Sequence, residues 1–446
     1  MTVPAPESIS FHVLSQLDAE AREALLRRTE SDLTPFLQRV QPIVEAVRVE
    51  GDEAIVRFAR DIDRVELPLD GLAARPADFD RAFASLDPEV VAAIEYGVEN
   101  IRRFHEEQKP ESMWMKEIRP GAFAGDRWLP IPSVACYVPR GKGAFPSVVM
   151  MTTVPAVVAG VPEICVVTPP GSGGDFDAAT LVAAKIAGVD TVYRVGGAVA
   201  VAAVAYGTRS VKRCAKIVGP GSPWVVAAKR LLAGVFDTGI PAGPSESIVL
   251  ADPSADGRIA ALDLLIESEH GADSSAYLVT SSPAVAAAAR EAIPGFWSQM
   301  GEQRVGFSSA VLCGPRGGIV LAPDMDAACA FVNDYAPEHL LIHGEESFQW
   351  LGRIEHAGEI LLGKNTPITL GNFVLGPNAV LPTGGWARTY SPLSTFDYMK
   401  RTGIGYVTAA GYPELAKHAR VLATYEGFEA HANAVSTTRE ILLGRE

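Results

Sequence analysis

The stretch SVACYVPRGKGAFPSVVMMTTVPAVVAGVPEICVVT, residues 133–168, decides the fold. Ser133 to Val138 is a short apolar run closed by Pro139 and a glycine-rich turn, the pattern of a buried strand. Phe145–Ala159 is long enough for a helix, and Glu163–Thr168 returns to a β-branched run. A strand, a tight turn, a helix and a second strand in that order predict a parallel βαβ unit. The longest apolar stretch, Ser147 to Val161, is too short to span a bilayer and is interrupted by Thr152, Thr153 and Pro155.

Outward from this unit the alternation continues. Helices are predicted at Asp177–Ala187, Ala198–Tyr206 and Pro223–Leu232, with strands at Thr191–Val195 and Cys214–Val218. A second series follows: strands at Ser247–Ala251, Ser275–Thr280, Leu340–His343 and Glu359–Leu362, with a helix near Gly257–Glu269. Upstream, Leu14–Arg28, Leu33–Arg60 and Asp87–Gln108 carry helical periodicity, the last with Asp87 as cap and Pro88 at the first helical position. The expected fold class is α/β: two doubly wound, Rossmann-like domains with helical N-terminal and C-terminal appendages. The expected division is a helical segment at 1–29, a first α/β domain from 30–131 and 245–391, a second from 132–244 on the cofactor side, and an appendage at 392–446 that reaches a partner subunit.

Composition narrows the function. The 446 residues carry a formal net charge of −14, 48% are hydrophobic and 21% charged. Such an acidic balance argues against a nucleic-acid partner, which needs a basic face. Five dispersed cysteines, Cys136, Cys165, Cys214, Cys313 and Cys329, form no CxxC pair, against both a disulfide framework and a thiolate zinc site. Met1 to Ser10 lacks the basic and apolar regions of a secretory signal, so a cytoplasmic location with no membrane partner is expected.

Three of the eight histidines sit in company that can carry chemistry. In LLIESEHGAD, Glu267 and His270 are three apart at a helix end, so a carboxylate and an imidazole share one face and suit a zinc-like divalent ion. The same residues also read as a charged last turn capped by Gly271. In NDYAPEHLLIHG, Glu338 and His339 follow Pro337 in a short loop before a strand; they could serve as bases or simply face solvent. In YEGFEAHANAV, Glu426 and His431 occupy a helical region where such a pair is commonplace. The turns VPRGKGAFP, VGGAVAVAAVAYG and VGPGSPWV could each present backbone amides to a pyrophosphate, yet none matches GxGxxG, and each could equally be a packing turn.

Together with EGDEAIVRFARDID, PAGPSES and VLPTGG, these segments resemble, in the same order, segments of histidinol dehydrogenases, from about Thr29 to the C-terminus. The resemblance implies a homodimer with interlocked α/β domains, a zinc site completed across subunits, and oxidation of an amino alcohol to the acid with two NAD molecules. By that resemblance His339 is the base for the alcohol proton and Glu338 activates water. The metal ligands are Glu267, His270, Asn372 and His431, with His431 acting in trans. Ser245 and Glu426 correspond to substrate contacts and Tyr137 to a cofactor contact. Several positions depart from the family pattern. Glu267 stands for a glutamine and Asn372 for an aspartate, leaving the ligand charge unchanged. Ala379 replaces a histidine of the substrate pocket, and Val199 and Ser222 replace polar residues that touch NAD. Arg388 is new near the site and suits an anionic substrate; a member of the superfamily oxidises sulfopropanediol. The expectation is metal-assisted, NAD-dependent oxidation of a primary alcohol on a small polar or anionic substrate, with zinc or another divalent ion. The rivals are L-histidinol oxidation in histidine biosynthesis, metal-dependent hydrolysis without NAD, and a non-catalytic small-molecule binder on the same fold.

Overall fold

The computed structural model describes residues 3–28, 33–140 and 143–444. Its strands, in chain order, are β1 Phe11–Val13, β2 Met113–Arg119, β3 Ala122–Pro130, β4 Ser133–Tyr137, β5 Glu163–Thr168, β6 Val192–Arg194, β7 Lys216–Val218, β8 Glu246–Ala251, β9 Ser275–Thr280, β10 Gly317–Leu321, β11 His339–His343, β12 Glu359–Leu362 and β13 Met399–Val407. Residues 1–109 and 131–398 form one unit, and 110–130 with 399–446 a second.

The first unit holds two parallel sheets, which confirms the α/β class. One has the order β6-β5-β4-β7 and the other β1-β10-β9-β8-β11-β12. In each sheet the chain builds outward on one side, then crosses back, so that β4 and β7 flank one switch point and β8 and β11 the other. Strands β4, β7, β8, β9 and β11 are buried at every position, as expected of parallel strands covered by helices on both faces. The crossover helices Pro146–Ala159 and Ala178–Ala187 each stop at a left-handed glycine, Gly160 and Gly188.

Three features differ from the sequence reading. Residues 30–131 were grouped with 245–391, but helix Thr34–Glu50 turns Val40, Val44 and Val47 onto the alanine-rich helix Gly197–Tyr206 and joins the core of the four-stranded sheet. That face has its apolar residues at i, i+4 and i+7, so periodicity shows that it packs without showing on what. The N-terminal segment 1–29, expected to be helical, also holds β1, between a short 3-10 helix at Pro6–Ser8 and helix Ala19–Leu26, and β1 adds a parallel edge strand beside β10. Third, β10 itself was not foreseen.

In the second unit β13, β3 and β2 form an antiparallel sheet, with helices Tyr412–Tyr425, Glu429–Ala434 and Thr437–Leu442 following. Strand β2 is exposed at all positions, so it carries no alternation from which a sequence reading could find it. Among the described residues no helix is long and apolar enough to cross a membrane.

One buried hydrogen-bonded pair ties a helix to the six-stranded sheet: His343 Nε2, at the end of β11, lies 2.6 Å from Asp263 Oδ2 on helix Gly257–Ser268. Both side chains are out of solvent, so removing one strands the other. Asp263→Ala is expected to cost about 3 kcal/mol of stability, read as a lower denaturant midpoint; an unchanged midpoint refutes this account of the pair.

Candidate active site

Helix Gly257–Ser268 is capped at its start by Asp256, which accepts the Arg258 N–H. Ala260, Ala261, Leu264 and Leu265 press the helix into the core of the six-stranded sheet. The last turn therefore carries Glu267 inward, 1% exposed, while His270 follows just beyond the helix end. Glu267 Oε1 accepts a hydrogen bond from Asn372 Nδ2 at 2.8 Å, and Oε2 lies 3.2 Å from His270 Nδ1. Burial alone would raise the Glu267 pKa. His270, His339 and hydrogen bonds from Asn372 and Ser245 instead hold it below the usual carboxylate range.

The second group sits where helix Met325–Tyr335 turns into β11. Ala336 closes the helix in the left-handed region, φ 52°, and Pro337, which has no N–H to donate, prevents the helix from continuing. Glu338 and His339 emerge buried at the amino end of the strand rather than in a solvent-facing loop. Parallel pairing sets His339 against Glu359 of β12, and His339 Nδ1 lies 3.0 Å from Glu359 Oε2. His339 Nε2 is 3.9 Å from Glu338 Oε1, and Glu338 Oε2 accepts the Glu246 backbone N–H at 2.8 Å. Desolvation would depress the imidazole, but Glu267, Glu338 and the hydrogen bond to Glu359 override it and lift His339 to about 10. Burial pushes Glu338 well above the carboxylate range, and Glu267 and Glu246 add to that against the opposing pull of His339.

Both groups open onto one pocket of about 590 Å³. The turns after β4 and β7 supply one wall, and the amino ends of β8 and β11 supply the other. Of the residues singled out in the sequence, Glu267, His270, Asn372, Glu338, His339, Ser245, Ser222 and Ala379 line it. Others lie elsewhere. Tyr137 is buried behind the wall, where its hydroxyl accepts the Gly197 N–H at 3.2 Å, and Val199 is buried in the helix that this glycine starts. Arg388 is exposed, and its guanidinium donates to the carbonyls of Gly385 and Asp334. Arginines do reach the pocket, but they are Arg140 and Arg304. Glu426 and His431 belong to the second unit, where both are exposed. Sequence reasoning missed Glu359 and Glu246; only strand register identifies the first as the partner of His339, and the second acts on Glu338 through its backbone.

Among the described residues no three of His, Cys, Asp and Glu are arranged to hold a metal ion. The donors that converge are Glu267, His270 and the carboxamide of Asn372, whose oxygen and nitrogen exchange places by rotation about its last bond. Oxygen donors with one imidazole suit a divalent cation, and the neighbouring excess of buried carboxylates favours positive charge there.

Residues 26–439 match the sequence profile of histidinol dehydrogenase. The chain is 64% identical to the "Histidinol dehydrogenase homolog 2" of Mesorhizobium japonicum over 97% of this chain and 98% of that one. It is 44% identical to the histidinol dehydrogenase of a Synechocystis strain, over 96% and 99%. A crystal structure of histidinol dehydrogenase from Elizabethkingia anophelis superposes with a TM-score of 0.92 at 28% identity, covering 98% of this chain and 99% of that one. With buried histidine and carboxylates at the positions the motifs implied, and a match running along nearly its whole length, the chain belongs to the histidinol dehydrogenase family.

Proposed function

We propose that this protein oxidises a primary alcohol on a small polar or anionic substrate, with NAD as hydride acceptor and a divalent cation, zinc or a similar ion, in the pocket. One observation carries the reading: His339 is anchored through Nδ1 on Glu359 while Nε2 is left beside Glu338 at the pocket wall. An imidazole held this way takes a proton from a hydroxyl placed at Nε2, as the hydroxyl carbon gives its hydride to NAD and becomes an aldehyde. Glu338, on the same wall, is placed to take a proton from water if the aldehyde is carried on to the acid. Glu267, His270 and Asn372 would hold the cation, with His431 from a second copy as a fourth donor; a bound divalent ion there would polarise the alcohol oxygen. The turn containing Ser222 would face the cofactor, with Tyr137 and Val199 fixing the helix behind it. The second unit leaves Val421, Leu422, Tyr425, Phe428 and Leu442 exposed, an apolar set that supports a homodimer. Glu426 and His431 lie within that set and would reach the partner's substrate site.

The substrate reading rests on three pocket positions. Ala379 offers no hydrogen bond where the biosynthetic enzymes are expected to have a histidine. Arg140 and Arg304 line the pocket and would supply the positive charge for an anionic group, a role Arg388 does not hold from its present position. The relatives named histidinol dehydrogenase keep L-histidinol as the competing substrate.

Three outcomes test this reading. A panel of small alcohols that includes sulfopropanediol and histidinol, followed by NADH absorbance, is expected to give turnover with an anionic alcohol and little with histidinol. Turnover with histidinol alone, or growth rescue of a histidine auxotroph, overturns the substrate assignment. Elemental analysis is expected to find a bound divalent metal that His270→Ala weakens by about tenfold or more; metal-free protein with full activity refutes the site. Because His339 must be deprotonated to act, the rate should climb about tenfold per pH unit below its pKa. Glu359→Gln removes one of the charges raising that pKa, so this rising limb should move to lower pH; a limb that stays in place argues against His339 as the base.

A further inference from the structure

The buried carboxylate of Glu246 has a partner that no motif announces. Arg28 follows helix Ala19–Leu26, and its side chain, 10% exposed, reaches the amino end of β8. Its Nε lies 2.8 Å from Glu246 Oε1, and its guanidinium carbon stands 3.3 Å from the centroid of the Tyr335 ring. The remaining guanidinium nitrogens donate to the carbonyls of Leu26 and Tyr335. Glu246 Oε1 also accepts the Gly384 N–H at 3.0 Å, whereas Oε2 is buried with no hydrogen-bond partner among the described residues.

Arg28 therefore touches both backbones that present Glu338. Tyr335, under the guanidinium, is three residues upstream of Glu338 on the turn through left-handed Ala336. Glu246, beside the guanidinium, gives its own backbone N–H to Glu338 Oε2. A planar, permanently charged fork stacked on a ring and paired with a carboxylate fixes both in one geometry. Neither Arg28 nor Glu246 lines the pocket.

We propose that Arg28 is a positioning residue: by neutralising Glu246 and stacking on Tyr335, it clamps the amino ends of β8 and β11 so that Glu338 and His339 keep their places. The inference rests on the dehydrogenase reading for its kinetic consequence, but not for its structural one. Without the guanidinium, the buried Glu246 carboxyl loses its ion pair, and its Oε2 has no hydrogen-bond partner among the described residues. Its strand end must shift or admit water, and the N–H that holds Glu338 moves with it.

The test uses the full-length protein, with Arg28→Met, Arg28→Lys and the double variant Arg28→Met/Glu246→Gln. Arg28→Met is expected to lower kcat by about a hundredfold, the scale of a displacement of about an ångström, with KM values and metal content nearly unchanged. The double variant, which leaves no buried charge unpaired, should recover most of that loss, and Arg28→Lys should fall between. Hydrogen exchange gives a readout independent of turnover: the Glu246 amide should lose at least about tenfold protection in Arg28→Met, while the interior of β9 keeps its own. Unchanged kcat and protection overturn the clamp, as does a double variant no better than Arg28→Met. If Arg28→Met does not fold, the lysine and double variants decide on the same two readouts. Lost protection in a protein that never reduces NAD leaves the clamp standing and rejects the dehydrogenase reading instead.

Discussion

The carboxylates of Glu246, Glu267, Glu338 and Glu359 are buried around the His339 imidazole, with His270 beside Glu267, and the region depends on how that charge is balanced. Isolated, each would be costly to remove from water. The protein answers with an imidazole lifted to about 10, with Arg28 at the rear, and with hydrogen bonds from Asn372 and from the backbone of Glu246. The balance is still short of positive charge on the pocket side, where Glu338 is pushed toward its neutral form. A cation at Glu267 and His270 would relieve that strain. On the proposed reading, metal binding, proton uptake and the geometry of the base would be aspects of one electrostatic problem.

The two sheets contribute opposite ends. The four-stranded sheet offers the turns beyond the carboxyl ends of β4 and β7, the usual place for a ligand at a switch point. The six-stranded sheet offers the amino ends of β8 and β11 instead. This inversion explains why the chemistry-bearing residues of the second series come just before or at the start of strands: Ser245 precedes β8, Glu338 precedes β11 and His339 begins it. A reading that looked only at turns after strands would find the first wall and miss the second.

Much of the architecture was legible because buried parallel strands read as continuous β-branched runs, and β5, β9 and β12 matched their expected bounds. Glu267 and His270 were legible because helical spacing fixes their proximity. Glu359 was not, since its place opposite His339 depends on the register of β12 against β11, and a shift of one residue would turn it to the other face. Arg28 was hidden for a similar reason: its partner is distant in the chain and its own neighbourhood reads as an ordinary charged helix end. Arg388 shows the converse error. A charged residue in a segment near the site had a plausible role, but local carbonyls hold its guanidinium at the surface.

Strand β1 carries a consequence for how the chain is made. It precedes its partner by about 300 residues, for Phe11 to Val13 pair with Ile319 to Leu321, and among the described residues no other strand flanks that edge. The four-stranded sheet has all its strands by Val218 and can assemble while translation continues. The six-stranded sheet must wait for its middle before the first-made strand has anywhere to dock. Until then Phe11 to Val13 is a strand-forming segment whose partner strand is not yet made.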